Sequence, residues 1–531
     1  TTINAGTLAL SGTGSIAASS AVNLATGATF DISQTSAGAS ITTLANTGTG
    51  QTGTVSLGAR TLTITAGSTS FAGVIQDGGI QNDAGGALKI TGGSLTLTGA
   101  NTYTGGTQLN AGTLTAGNNS ALGTGTLAMA AGTTLGFANT GNYAIANAIT
   151  VSGDATFLAS AGTAQTLSGI ISDATGGAPA GAVVVNGGGT LVLSGANTYS
   201  GGTTLSQGTL VVRGASVFTN VNIPSSQTAS AIGLGTLTFN GGTLAAGPLL
   251  DRSFANAVEI TGRGGTIDDA GGLIRLFGTI SDEASSRGGT LTLMSSNPRA
   301  FAEGILLGGV STYSGTTNIA SGTVIAQSST GLSRNSAFLI NAGATLDLSG
   351  YSNSVASLAD GSNGGGIVRN AAASGTATLT ITGVNGGSTT FSGAIQNGGG
   401  GEGGAAGSKL ALVKNGNSTQ ILTGTNSYLG ATTVNGGTLE IGNGGAITRS
   451  ASLTNAANFV VDSGGAATFG SVTNTATGKI IVAAGGTLHD DLTNAGTVIN
   501  NGTYVANVAG NSGTIANNGI WTGTITTAGT L

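Results

Sequence analysis

The sequence predicts an all-β fold, a right-handed parallel β-helix (a solenoid) of roughly 20 residues per coil with essentially no helix. Three observations carry that prediction. Apolar and small polar residues alternate in runs of four to six, as in Leu95-Thr96-Leu97, which is the period of a strand. The runs are bounded by Gly-Gly, Asn-Gly, Ala-Gly or Asp-Gly pairs, which mark turns. Long blocks then return nearly verbatim along the chain, the signature of a repeat architecture. No window places apolar residues at i, i+3, i+4 and i+7 between caps.

The blocks run as follows. One element reads Phe71-Ala72-Gly73-Val74-Ile75-Gln76-Asp77 and returns as Leu167-Ser168-Gly169-Ile170-Ile171-Ser172-Asp173. Its later forms are Phe277-Gly278-Thr279-Ile280-Ser281-Asp282 and Phe391-Ser392-Gly393-Ala394-Ile395-Gln396-Asn397. A second element follows each, Leu95-Thr96-Leu97-Thr98-Gly99-Ala100-Asn101-Thr102-Tyr103-Thr104-Gly105-Gly106-Thr107, repeated from Leu191 to Thr203. A third copy begins at Gly288-Gly289-Thr290-Leu291-Thr292-Leu293, breaks off, and resumes at Ser311-Thr312-Tyr313-Ser314-Gly315-Thr316-Thr317. The fourth runs from Leu422 through Tyr428 to Leu439. From the first residue of each leading element to its tyrosine the spacing is 32, 32, 36 and 37 residues, and successive tyrosines stand 96, 114 and 115 apart. Residues 1–450 are therefore read as a β-helix of four supermodules of about a hundred residues each.

From residue 451 the rhythm shortens. Leu453-Thr454-Asn455, Val472-Thr473-Asn474 and Leu492-Thr493-Asn494 recur at 19 and 20 residues, with a looser echo at Asn511-Ser512-Gly513. Residues 451–531 thus continue the helix in coils of about 17–20 residues, with the asparagines placed to stack as an amide ladder. A meander of hairpins would instead set Asn-Gly or Asp-Gly turns at alternate connections. Glycine supplies positive φ at the corners, and threonine and valine suit the flat faces. At about 4.8 Å per coil, some 26 coils would make a rod of roughly 125 Å.

Composition narrows the function. Of 531 residues, 99 are glycine, 33 are charged, one is histidine and none is cysteine, and the net charge is −5. A chain 39% hydrophobic is too apolar for disorder, so a thin, long core is expected. No lysine or arginine run offers the footprint that nucleic acid or an anionic membrane needs. No apolar run approaches the roughly 20 residues that span a bilayer as a helix. Without cysteine there is no disulfide framework, and stability falls to backbone ladders and stacked side chains.

The block at 95–107 and its copy at 191–203 resemble the autotransporter-associated β-strand repeat, also called the passenger-associated transport repeat. Counting flanks, the resemblance covers most of 60–440. It implies a secreted type V passenger of a Gram-negative bacterium, exported across the outer membrane through a C-terminal barrel that lies outside this sequence. It implies also a place at the cell surface and a role in adhesion or biofilm formation. Thr1-Thr2-Ile3-Asn4-Ala5-Gly6-Thr7-Leu8 and Thr526-Thr527-Ala528-Gly529-Thr530-Leu531 both stop in mid-motif, so a window on a longer chain is expected.

Asp462-Ser463-Gly464-Gly465 has the look of a serine nucleophile segment, but His489 follows it where that family's histidine precedes it, and a β-turn is expected. Asp268-Asp269, Asp282-Glu283 and Asp490-Asp491 are adjacent pairs, which point to opposite faces of a strand and form no dyad by themselves. His489-Asp490-Asp491 is too sparse for a transition-metal site. Arg252, Arg263, Arg275, Arg287 and Arg299, spaced 11 or 12 apart, mark a charged stretch at 251–303 that is expected to be a solvated stretch of alternating-sign pairs, the functional alternative being that segment 294–310 is a surface loop that contacts partners. Tyr103, Tyr199, Tyr313 and Tyr428 are expected to pack rather than to stack on sugars. No catalytic, cofactor or metal residue is assigned. The expected function is a non-enzymatic structural stalk or adhesin. Its partners would be itself, laterally or end to end, and a host surface, an abiotic surface or glycans. A self-assembling fibre or surface-layer subunit is the alternative, and a polysaccharide-active enzyme is the third reading.

Overall fold

A computed structural model describes residues 1–176, 179–220, 224–248, 250–296, 304–384, 386–398, 407–525 and 530. These residues hold 62 strands and no α-helix, with a single 3-10 turn at Pro224–Ser226. They form a β-solenoid of stacked parallel sheets, as the alternation and the glycine pairs predict. The chain divides into two compact units, Thr1–Gly247 with Phe254–Ala257, and Pro248–Ser253 with Val258–Leu531.

Each unit is built from parallel ladders. In the first unit Ser68–Phe71, Ser94–Leu97, Thr113–Ala116, Thr134–Phe137, Asp154–Leu158, Ala182–Asn186 and Thr203–Leu205 stack in order. The register places Leu95, Leu114, Leu135, Phe157, Val185 and Leu205 in one inward column, all buried. In the second unit Thr438–Ile441, Asn458–Val461, Lys479–Val482, Thr497–Asn500 and Thr514–Asn517 stack likewise, with Leu439, Phe459, Ile480, Val498 and Ile515 inward. Period two is obeyed because one face of each strand meets the core and the other meets solvent.

Coil length varies more than a uniform 20 residues. Register partners stand 19 apart at Leu95 and Leu114, 17 at Val498 and Ile515, and 34 at Leu210 and Leu244. The long coil carries an antiparallel excursion, Val217–Phe218 against Gln227–Ala229. The chain consequently makes about 22 turns rather than 26. Excursions lengthen a coil without adding a layer.

The asparagine ladder forms as expected. Asn455 donates its amide to Asn474, Asn474 to Asn494 and Asn494 to Asn511, each at 2.8 Å and each buried. A second amide pair joins Asn500 to Asn517 at 2.7 Å. Such a chain spends every buried amide on the next coil, so the polar column satisfies itself. Asn474→Ala removes one hydrogen bond each from the amide of Asn455, which keeps Lys479 O, and the carbonyl of Asn494, which keeps Gly496 N, and should cost about 2 kcal/mol. The urea midpoint of the segment checks this, and an unchanged midpoint contradicts it.

Candidate functional site

In every module the two repeated elements, distant in sequence, lie one coil apart. Phe71 pairs with Leu97, Leu167 with Leu193, Leu276 with Leu307 and Phe391 with Leu422. This register corrects the third module twice. Its counterpart of Phe71 is Leu276, so Phe277 takes the outward position of Ala72, Ser168 and Ser392. Its counterpart of Leu95–Leu97 is Gly304–Leu307, while Leu291–Met294 pairs with Thr317–Ile319 as Ala87–Ile90 pairs with Thr107–Leu109. All strands share period two, so a Leu-Thr-Leu run alone does not fix its place. The invariant six residues from the inward leucine to the tyrosine do (Leu97, Leu193, Leu307, Leu422).

A clamp of four parts forms where the elements meet. The first is a close approach of backbones. A Cβ on Gly99, Gly195, Gly309 or Gly424 would lie 1.9, 2.5, 1.8 or 2.0 Å from the carbonyl oxygen of Gly73, Gly169, Gly278 or Gly393 in the coil before. The second is an amide. Asn101 accepts from Ile75 N at 2.8 Å and donates to Ala121 O at 2.6 Å. Asn197 does the same for Ile171 and Ala231, and Asn426 for Ile395 and Ala446. The third copy has Ser311 instead, donating to Gly331 O at 2.7 Å.

The third part is a carboxylate–hydroxyl pair. Thr104 Oγ1 donates to Asp77 at 2.7 Å, Ser200 Oγ to Asp173 at 2.8 Å and Ser314 Oγ to Asp282 at 2.8 Å, each joined by the backbone N–H of the same residue. In the fourth copy Asn397 accepts from Leu429 N at 3.1 Å. Desolvation, the largest single influence on the carboxyl of Asp173, would raise it, but the hydrogen bonds from Ser200 and Gly181 together outweigh it and hold the carboxyl below its ordinary range. The fourth part is the tyrosine. Tyr103, Tyr199, Tyr313 and Tyr428 are fully buried, their hydroxyls 2.5 to 2.7 Å from Thr107, Thr203, Thr317 and Thr432. Burial pushes these phenols up, that of Tyr313 to about 12, so they stay neutral and structural.

The sequence reading missed the third coil of the clamp. Ser120-Ala121-Leu122-Gly123-Thr124-Gly125 and Ser230-Ala231-Ile232-Gly233-Leu234-Gly235 close over the tyrosine rings, and Leu122 O and Ile232 O accept from Thr107 and Thr203. A Cβ on Gly233 would press to 2.5 Å from the ring of Tyr199. The similarity of these two segments was the available signal. Within each unit the two clamps also turn to different faces. Ser94–Leu97 of the first copy shares a ladder with Thr203–Leu205 of the second, while the second copy's Thr190–Leu193 sits in another. In the second unit Gly304–Leu307 and Thr419–Leu422 likewise occupy different ladders. Within each unit the two repeats therefore line up neither their tyrosines nor their outer faces.

The remaining candidates fall apart in space or into turns. Ser463 packs under the turn at Gly485 and is absent from the groove that His489 lines. Asp268 and Asp269 cap the backbone of Ala270 and Gly271, and Glu283 binds Ser285. Among the arginines, Arg252 is buried, Arg275 lies 4.0 Å from Asp251, and Arg263 and Arg287 are exposed at the turns preceding two paired strands. Arg299 lies outside the described residues, as do 297–303 of segment 294–310. Its continuation, Gly304–Leu307, is no loop but a fully buried solenoid strand.

His489, Asp490 and Asp491 lie in Thr487–Asn494, a strand that spans a bend and pairs with both Ala466–Phe469 and Val472–Asn474. The concave side of that bend is a groove of about 720 Å³ lined by Arg449, Thr468, His489, Asp491 and Asn507 among others. Asp490 is 5% exposed, with one carboxyl oxygen 3.4 Å from the Tyr504 hydroxyl and the other unpartnered. Burial, opposed by the Tyr504 hydrogen bond and reinforced by Asp491, raises its pKa to about 7. Among the described residues no group of three or more potential metal ligands occurs.

The passenger-associated-transport-repeat family matches residues 89–116, 183–212, 305–326 and 412–441, which are the strands of the four clamps. The adhesin BmaC autotransporter of Brucella suis biovar 1 (strain 1330) is 32% identical over 392 residues, 67% of this chain. The chain spans 10% of that relative's length. No solved structure matches.

Two predictions follow from this geometry. Gly99→Ala forces a Cβ into a neighbouring carbonyl and should cost about 3 kcal/mol, whereas Tyr103→Phe removes one hydroxyl and should cost about 1 kcal/mol; denaturant titration ranks them, and equal costs refute the clamp. Asp490 is favoured neutral when folded, so its contribution is full below roughly pH 4 and is lost as pH rises through about 7. Asp490→Asn should flatten that fall, and a wild-type unfolding midpoint that does not drop between those pH values contradicts it.

Proposed function

The chain is an autotransporter passenger segment carrying four passenger-associated transport repeats, and from that premise we propose that it forms part of an adhesive stalk displayed outside the outer membrane. The observation that carries the reading is the burial of what the repeats hold in common. Tyrosine, glycine and threonine of each copy, with the asparagine (serine in the third), are consumed in tying coils together, so the repeats build a rigid support. Recognition is left to outward positions, which differ from copy to copy. The relative's description as an adhesin supports adhesion as the use of that support.

A solenoid of this kind suits presentation. Its stability is a sum over neighbouring coils, so a long surface can be held without a thick core. Few charges and many threonines leave an outer face of short polar side chains. The test is attachment. Cells of a non-adherent Gram-negative host displaying the segment through a barrel should bind cultured epithelial cells or coated glass several-fold more than cells displaying the barrel alone, with surface amounts matched by antibody. Equal attachment at equal display overturns the adhesive reading.

A further inference from the structure

Phe277 stands out among the four modules. At its register position the other copies carry Ala72, Ser168 and Ser392, all small. Its ring is half-buried and lies on Gly308, 3.1 Å from where a Cβ on that glycine would be. The backbone register Arg275–Leu306, Leu306–Ile325 and Ile325–Asp347 sets Phe277, Gly308, Gln327 and Ser349, each two residues further on, in one outward row across four coils. With about 4.8 Å per coil the row spans roughly 14 Å. Tyr351 closes its far end and is 44% exposed, while the repeat tyrosines are fully buried. Arg275, Phe277, Gly308, Gln327, Ser349 and Tyr351 line a depression of about 510 Å³.

The far end is also built under strain. Ser349 is one of three non-glycine residues at positive φ among the described residues, at 44°. Asp347 holds it there. That carboxylate is 4% exposed, accepts Ser349 N at 2.8 Å, and pairs with Arg369 Nε at 3.0 Å. Strained backbone held by a buried ion pair is characteristic of sites that position side chains for a ligand.

We propose that this depression binds a short oligosaccharide. Two aromatic rings, one at each end of the row, offer faces for the C–H surface of a sugar ring. The amide of Gln327 and the hydroxyl of Ser349 lie along the row, and the guanidinium of Arg275, beside Phe277 and 4.0 Å from the exposed carboxylate of Asp251, flanks it; these groups match hydroxyl or carboxylate substituents. The volume is that of a small-molecule site. An apolar peptide would leave these polar groups unpaired, which disfavours it. The inference gives the adhesive reading a ligand class yet stands apart from it, since saccharide binding in solution can succeed where cell attachment fails, and the reverse.

The experiment is calorimetric and NMR titration of the segment with cellobiose, N,N′-diacetylchitobiose and sialyllactose. At least one probe should bind with a millimolar Kd and perturb the Tyr351 ring signals. Phe277→Ser, which installs the residue of the second and fourth copies, and Tyr351→Ala should each weaken binding about tenfold without moving the thermal midpoint. Binding by none of the three probes, or binding undiminished in both variants, overturns the proposal.

Discussion

Parallel stacking at a spacing near 4.8 Å is the constraint on which the rest of this chain depends. Every coil must present backbone to the coil before it along its whole circumference, corners included. At the corners where two coils come closest no side chain fits between them, and the contact of Gly99 with the carbonyl of Gly73 shows how little room remains. Threonine and valine are the complementary choice on the flats, where β-branching suits an extended backbone. The inward leucine and phenylalanine columns follow from the same register, since in-register strands place like residues above like.

That spacing also explains the polar interior. A side-chain amide one coil above another is within hydrogen-bond reach, so asparagine is tolerated in the core where a lone polar group would be costly. The column from Asn455 to Asn511 uses this side chain to side chain, with backbone carbonyls such as Lys479 O and Thr497 O as further acceptors. The clamp uses it with backbone, Asn101 and Asn197 bridging the coils before and after their own. Lys414 is the exception. It is buried with its ammonium 2.7 Å from Asn415 O, and desolvation lowers its pKa to about 8. Two further carbonyls receive the ammonium, Gly436 O of the next coil at 3.3 Å and Gly416 O at 3.5 Å, so it too is held by the backbone of a corner.

The strand period, the turn pairs and the block repeats were all legible in the sequence, because each is a one-dimensional trace of the register. The asparagine ladder was legible for the same reason, its members recurring at coil spacing. The coil count was not, since an excursion such as Val217–Ala229 adds residues without adding a layer. The third module misled because its inward Leu276 precedes a phenylalanine, and an aromatic draws the eye toward the core position that Phe71 and Phe391 occupy. The segment Ser120–Gly125 escaped notice because its contribution is carbonyl oxygens, which every residue has. The outward groove at Phe277 could not be read from sequence, as its six residues are scattered from 275 to 351 and meet only through stacking.

One position in four modules now holds alanine, serine, phenylalanine and serine, while the leucine, glycine and asparagine around it scarcely vary. A side chain there points away from everything the clamp needs. Ala72 is thus a vacant socket on a finished frame, and Ser168 and Ser392 are tied there by a single hydroxyl contact each, to Ile145 O at 3.5 Å and Gly365 N at 3.2 Å, so new chemistry can be grafted at these places by single codons. Divergence among passengers of this type should accumulate at such sockets, and a designer could load them in combination to give one chain several binding specificities.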